Sequence, residues 1–204
     1  VVAFDRAIEL DPGVVESHFN KGVPLRNLGR HREALDAFDR AIDLDPGDAQ
    51  VHVARGVLLR DMGQYKKAVA ALDQAIEFDP SVADAHFARG LALVELGRYK
   101  KAVKAYDQAI ELDPTVADAH FARGLALVEL GRYKKAVKAY DRAIELDPDD
   151  ASSHFNRGLA LDALGRYEEA IAAFDWAINF NPDDAEAATL RKKSHQALRQ
   201  SGSS

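Results

Sequence analysis

Histidine recurs at a fixed interval: His18, His52, His86, His120 and His154 stand 34 residues apart. Imidazole is a common zinc ligand, so a regular row raises the question of a metal ladder. The interval decides against it, because each 34-residue stretch has room for two helices and equivalent histidines then fall on every second helix. Packed helices lie about 8–10 Å apart, whereas a zinc ligand must come within about 2 Å. The histidines are expected to pack. A second row carries charge: Asp5, Asp39, Asp73, Asp107, Asp141 and Asp175 are each followed, sixteen residues on, by a base, namely Lys21, Arg55, Arg89, Arg123, Arg157 and Arg191. This predicts a carboxylate–base contact across each seam between successive units. An exposed pair of this kind stabilises by only about 0–1 kcal/mol, so its benefit is register. There is no glycine-rich phosphate loop and no isolated carboxylate pair, and no Ser or Cys nucleophile activated by a histidine is expected. Every recurring acid keeps the common interval and serves the scaffold first. No enzymatic activity, cofactor or metal is expected.

The interval comes from near-duplication. Residues 83–116 and 117–150 differ only at Gln108/Arg142, Thr115/Asp149 and Val116/Asp150, and Pro12, Pro46, Pro80, Pro114, Pro148 and Pro182 fall on the same 34-residue ruler. Such a period is the mark of a repeat architecture. The expected organisation is one array over 1–204: a half unit at 1–14, full units at 15–48, 49–82, 83–116, 117–150 and 151–184, a capping helix at 185–200 and a disordered tail at 201–204. Within a unit, Ala85, Gly90, Leu93 and Leu96 share one face of a first helix over about 83–96. Gly97 closes it by adopting positive φ. Ala102, Val103, Tyr106, Ala109, Ile110 and Leu112 mark a second helix over about 99–112, ended by Asp113-Pro114. Ser81, Thr115 and Asp149 are candidate N-caps, with Asp84 and Asp118 as shortened capping-box partners.

Composition fits a folded, water-exposed chain: of 204 residues 29% are charged and 47% hydrophobic. No apolar run approaches the roughly 18–20 residues needed to span a bilayer, and no signal peptide is visible. The chain starts at Val1, which admits a processed or trimmed N-terminus. The absence of cysteine excludes disulfides and thiolate metal sites, and a net charge of −6 argues against nonspecific nucleic-acid binding. A cytoplasmic setting with no membrane partner is expected.

His86, Arg89, Gly90, Leu93, Ala102, Tyr106 and Pro114 occupy the positions of the pattern W-x2-L-G-x2-Y, A-x3-F, P, and so resemble the tetratricopeptide repeat family. His stands for Trp, a base for Leu (Lys21 in the first full unit, Arg in the others) and Leu for Tyr; the likeness covers 1–184. It implies an all-α, right-handed superhelical solenoid with a concave groove lined by the first helices, and a scaffold that binds peptides or proteins. By that geometry, positions 2, 5, 9, 12 and 13 of a unit face the groove. These are Asp84, Phe87, Leu91, Val94 and Glu95, then Asp118, Phe121, Leu125, Val128 and Glu129. Other units contribute Phe19, Val23 and Arg26, Val53 and Val57, and Phe155 and Leu159 with Asp162. An apolar stripe edged by carboxylates suits a segment carrying aliphatic side chains and Lys or Arg. The competing expectation is that the phenylalanines tilt into the helix–helix seams and leave the wall inert. The family's clamp for a C-terminal carboxylate is not expected, since Phe19, Val23, Ala54, Asp84 and Ala88 stand where Lys, Asn and Arg would be needed.

On the opposite side Lys66, Lys67, Lys100, Lys101, Lys104, Lys134, Lys135 and Lys138 cluster. They read as a solvated face partly neutralised by Asp107, Asp141, Glu111 and Glu145, the alternative being a patch for an acidic partner or a phosphate backbone. Pro24 breaks the ruler and should remove a hydrogen bond and kink its helix. Trp176 is expected to pack under the final helix, or else to serve self-association. The functional expectation is a non-enzymatic scaffold; end-to-end self-assembly through the terminal helices, or service as the targeting arm of a larger enzyme, are the alternatives.

Overall fold

The computed structural model describes residues 1–201, apart from the Val2 side chain. It holds twelve helices and no strand among the described residues: α1 (Val2–Leu10), α2 (Val15–Asn27), α3 (His31–Leu44), α4 (Ala49–Asp61), α5 (Tyr65–Phe78), α6 (Ala83–Glu95), α7 (Tyr99–Leu112), α8 (Ala117–Glu129), α9 (Tyr133–Leu146), α10 (Ala151–Asp162), α11 (Tyr167–Phe180) and α12 (Ala185–Ser201). The fold class is the expected one, an all-α solenoid of helical hairpins. The chain divides into two compact units, Val1–Leu112 and Asp113–Ser204. In the first, each helix packs on the next from α1 to α7, and α4 also touches both α2 and α6; in the second, α8 to α12 pack in the same succession and α8 touches α10. The final helix reaches Ser201, and residues 202–204 of the expected tail lie outside the described residues.

Each hairpin closes on a glycine. A Cβ placed on Gly90 would stand 2.4 Å from the Tyr106 ring, and one on Gly22 or Gly124 the same distance from Phe38 or Tyr140. The second helix therefore lays its largest side chain directly on the backbone of the first. Those rings are fully buried, together with Leu72 and Phe174 at the equivalent position of the other hairpins. α12 departs from this rule, carrying Lys192 and His195 where α6 has Gly90 and Leu93. Between the helices, Gly97 has φ +66°, with its N–H on Val94 and that of Arg98 on the Leu93 carbonyl, a two-bond stop that requires positive φ.

The helix starts correct the sequence expectation. The N-caps of α6 and α8 are Val82 and Val116, without a side-chain cap bond, and that of α10 is Asp150. Ser81 and Thr115 instead turn back: their N–H and hydroxyl groups donate to Asp79 and Asp113, the residues before the prolines. That local bond competes with capping and shifts the start by one residue. Asp48 and Asp150 do cap, Asp48 accepting from the N–H groups of Gln50 and Val51 and Asp150 from those of Ser152 and Ser153. The carboxylate–base row forms across the seams within each unit. Lys21 meets Asp5 at 2.8 Å, Arg55 meets Asp39 at 2.6 Å and Arg89 pairs with Asp73; in the second unit Arg157–Asp141 and Arg191–Asp175 are both 2.6 Å.

Two irregularities resolve. α2 continues through Pro24 to Asn27. Trp176 does not pack under the final helix: it stacks on His154 (5.8 Å) and Phe180 (6.0 Å) and stays 55% exposed. The indole is held between the His154 ring of α10 and the Phe180 ring of its own helix.

Tyr106 and Tyr140 carry buried hydroxyls with no hydrogen-bond partner, and burial pushes both phenols far above their ordinary value. Their counterparts Phe38 and Phe174 fill the same place without a hydroxyl. Tyr106→Phe is thus expected to hold or raise stability, since an unmet buried hydroxyl costs about 1–3 kcal/mol. Gly90→Ala is expected to lose about 1–3 kcal/mol through overpacking against the same ring. Urea unfolding of both variants checks the pair; equal losses would show that the ring's fit on Gly90 is not what closes the hairpin.

Candidate functional site

The histidine row is a set of fasteners. In each of the five full hairpins the ring is buried and its Nε2–H donates to the proline carbonyl six residues earlier: His18 to Pro12, His52 to Pro46, His86 to Pro80, His120 to Pro114 and His154 to Pro148, at 2.9–3.2 Å. Since a carbonyl only accepts, the Nε2 atom must carry the proton. The bond ties the turn before each first helix to that helix's first full turn. Among the described residues no group of three or more His, Cys, Asp or Glu is placed to hold a metal ion. Packing was legible from the sequence; the proline carbonyl as the partner was not, although the constant six-residue offset was there to be read.

The first-helix face is the other repeated surface. In the first unit it comprises Phe19 and Val23 on α2, Val53 and Val57 on α4, and Phe87, Leu91 and Val94 on α6, all half-buried. In the second it comprises Phe121, Leu125 and Val128 on α8 with Phe155 and Leu159 on α10; Leu125 is 38% exposed and the rest half-buried. Their spacing puts them on one side of each helix. The phenylalanines take a middle course between the two expectations. Each leans on the buried ring of its own hairpin, Phe19 on Phe38, Phe87 on Tyr106, Phe121 on Tyr140 and Phe155 on Phe174, with centroids 5.8–6.0 Å apart and planes tilted 45–58°. One edge is anchored and part of each ring remains open.

Charge along this face falls into two kinds. At its ends the charged groups are engaged: Asp61 accepts from Arg26 at 2.7 Å and Arg60 at 3.0 Å, and Ser194 on α12 donates to Asp162 at 2.6 Å. Burial pushes the Asp61 carboxyl up, but the two guanidinium hydrogen bonds outweigh it and hold it below the ordinary carboxylate value. Arg60 and Asp61 were missed in the sequence because Arg26 and Asp61 stand 35 residues apart, one step off the ruler. In contrast Asp84 and Glu95 in the first unit, and Asp118 and Glu129 in the second, are exposed. Among the described residues they have no hydrogen-bond or ion-pair partner.

A tetratricopeptide repeat model matches residues 3–49 and 121–185, a TPR repeat model matches 58–97 and 90–131, and a further tetratricopeptide repeat model matches 37–70. The chain belongs to the tetratricopeptide repeat family. No curated protein sequence matches this TPR chain. Among solved structures it is similar to YrrB, described as a TPR protein with an unusual peptide-binding site, at 26% identity and TM-score 0.79 over 93% of this chain and 98% of that one. It is also similar to MamA, at 26% identity and TM-score 0.75 over 81% and 96% of the two chains. MamA from Desulfovibrio magneticus RS-1, 21% identical with TM-score 0.77 over 84% and 97%, shares the fold. TPR proteins are generally non-catalytic interaction scaffolds, and this one has the same repeated framework. No helix among its described residues is long and apolar enough to cross a membrane.

Burial depresses the His120 imidazole below its ordinary value of 6.5, against a weaker upward pull from the Pro114 carbonyl. The unfolded chain therefore takes up this proton at higher pH than the folded one. Stability from this group is complete above pH 6.5 and declines as the pH falls from there towards the lowered folded value. Urea midpoints measured from neutral to mildly acidic pH are expected to fall, and His120→Gln, which keeps a donor without the titration, should make that fall shallower. An unchanged slope in the variant would remove His120 from the acid response.

Proposed function

We propose that this TPR chain is a protein-interaction scaffold that binds, along its first-helix face, an apolar peptide segment carrying lysine or arginine. The observation that carries the reading is the pairing of a half-open apolar row with unengaged carboxylates, Asp84 and Glu95 in one unit and Asp118 and Glu129 in the other. A carboxylate with no partner in its own protein is free to meet a cation from another, and the anchored phenylalanines offer apolar area whose ordering cost is already met by the fold. The likeness to a TPR protein with a peptide-binding site over nearly its whole length supports the same use. The 34-residue ruler passes through Leu112–Asp113 without a shift, which supports reading the repeats as one array.

A phage-displayed random peptide library selected on the full chain tests this. Enriched sequences are expected to combine aliphatic residues with Lys or Arg. Asp84→Asn, Glu95→Gln, Asp118→Asn and Glu129→Gln together should erase the basic preference and leave the fold intact. Phe87→Ala, Phe121→Ala and Phe155→Ala together should weaken the selected peptides at least about tenfold, with circular dichroism verifying that helicity is kept. Enriched peptides that bind both variants as tightly as the parent chain would overturn the assignment.

A further inference from the structure

The geometry points to a second docking surface in each unit, independent of the first-helix face: the exposed lysine-bearing side of α5 and α7 in one and of α9 in the other, each suited to an acidic polypeptide segment. In the first unit Lys66 and Lys67 on α5 and Lys100, Lys101 and Lys104 on α7 are exposed; in the second so are Lys134, Lys135 and Lys138 on α9. None has an ion-pair partner among the described residues. Most other cations are engaged, as with Arg26 on Asp61, Arg55 on Asp39 and Arg191 on Asp175. Carboxylates placed by sequence to neutralise the lysines are also taken: Asp141 holds Arg157, Glu145 holds Arg142 and Glu111 accepts from Gln108.

The outer repeats reveal what these positions hold when they serve folding alone. Arg30 grips Glu33 through two bonds of 2.8 and 2.7 Å, and Arg166 grips Glu169 through two of 2.7 and 2.6 Å. Both forks place an acid in the first turn of α3 or α11, where the helix dipole favours it. In α7 and α9 the arginine is kept as Arg98 and Arg132, but Lys101 and Lys135 stand where the glutamate was, and neither first turn has an acid. Each exchange removes a fork, brings like charges within one turn of each other and sets them at the helix end that repels cations. Neither arginine has another ion-pair partner among the described residues. A local rule broken three ways at one place marks a surface shaped by something outside the scaffold.

The hollows beside these lysines define the visitor. One, of about 360 Å³, joins Lys66 and Lys67 to Tyr65 and to Leu96 of the next hairpin; the other, of about 540 Å³, joins Lys134 and Lys135 to Tyr133 and Leu164. Both combine a cationic rim with apolar lining, so the matching segment carries carboxylates interspersed with leucine-like side chains. Tyr65, Tyr99 and Tyr133 are half-buried and do not stand out as base-stacking platforms. The chain's net charge of −6 opposes a long polyanion more than a short acidic segment. Peptide is therefore favoured over nucleic acid or membrane.

Fluorescence anisotropy with the full chain and a labelled peptide of Glu-Glu-Leu repeats tests the inference. Lys→Gln changes at the five lysines of α5 and α7 and the three of α9 are expected to weaken binding at least about tenfold and to flatten its salt dependence. Lys101→Glu with Lys135→Glu, which restores the fork on α7 and α9, should raise the melting temperature while weakening the peptide by a similar factor. Opposite movement of the two readouts is the signature, because a purely structural role would move only the first. The surface is overturned if the Lys→Gln variant binds the peptide like the parent, or if oligo-dT or phosphatidylserine vesicles bind the parent more tightly than the peptide does. Loss of binding in the triple phenylalanine variant, with the lysines intact, would equally overturn it by locating the peptide on the other face.

Discussion

The contact on which the molecule depends is the seating of a large side chain on bare backbone inside each hairpin. With 2.4 Å between a hypothetical Gly90 Cβ and Tyr106, no side chain fits there without moving the ring. This sets how closely the two helices of a hairpin approach and how the second helix is rotated. Because Phe87 then rests on the same ring, the packing that closes the hairpin also holds the wall residues in place. Scaffold and candidate surface share one stack of rings.

Much of this was legible in the residues. Proline spacing, Gly97 and the period-3.6 apolar rows placed the helices within a residue of where they lie, since those signals act locally and each repeat poses the same local problem. What escaped the sequence depended on competition between near-equal options. Ser81 had two partners within reach and took Asp79 over the helix end. Trp176 had two neighbouring helices to choose from and took the one that offers the His154 ring. The wall residues could be enumerated from register alone, but not the degree to which Phe87 or Phe121 would sink between its neighbours, which depends on the width of the seam.

Arginine and lysine divide the electrostatic work. Arginine, with its planar fork, fastens hairpin to hairpin at Asp39 and Asp141 and braces the start of a single helix at Glu33 and Glu169. Lysine, a hydrated point charge on a flexible stem, is left facing water on the middle second helices. Unengaged carboxylates occupy the first-helix side of the same repeats. The two near-identical middle repeats therefore carry unengaged carboxylates on their first helices and unengaged lysines on their second, while the outer repeats pair Arg30 with Glu33 and Arg166 with Glu169.

The last helix adds a consequence of its own. Lys192 stands where every preceding first helix has glycine, so a long side chain rises from the strip of α12 backbone that corresponds to the glycine seat of the other hairpins. A helix arriving there, even from a sister molecule, would have to bend that stem aside and give up the intimate ring-on-backbone contact. The seat on bare backbone that five hairpins share is thus replaced on α12 by a charged stem, and the tightest packing in the molecule belongs to α2 through α11.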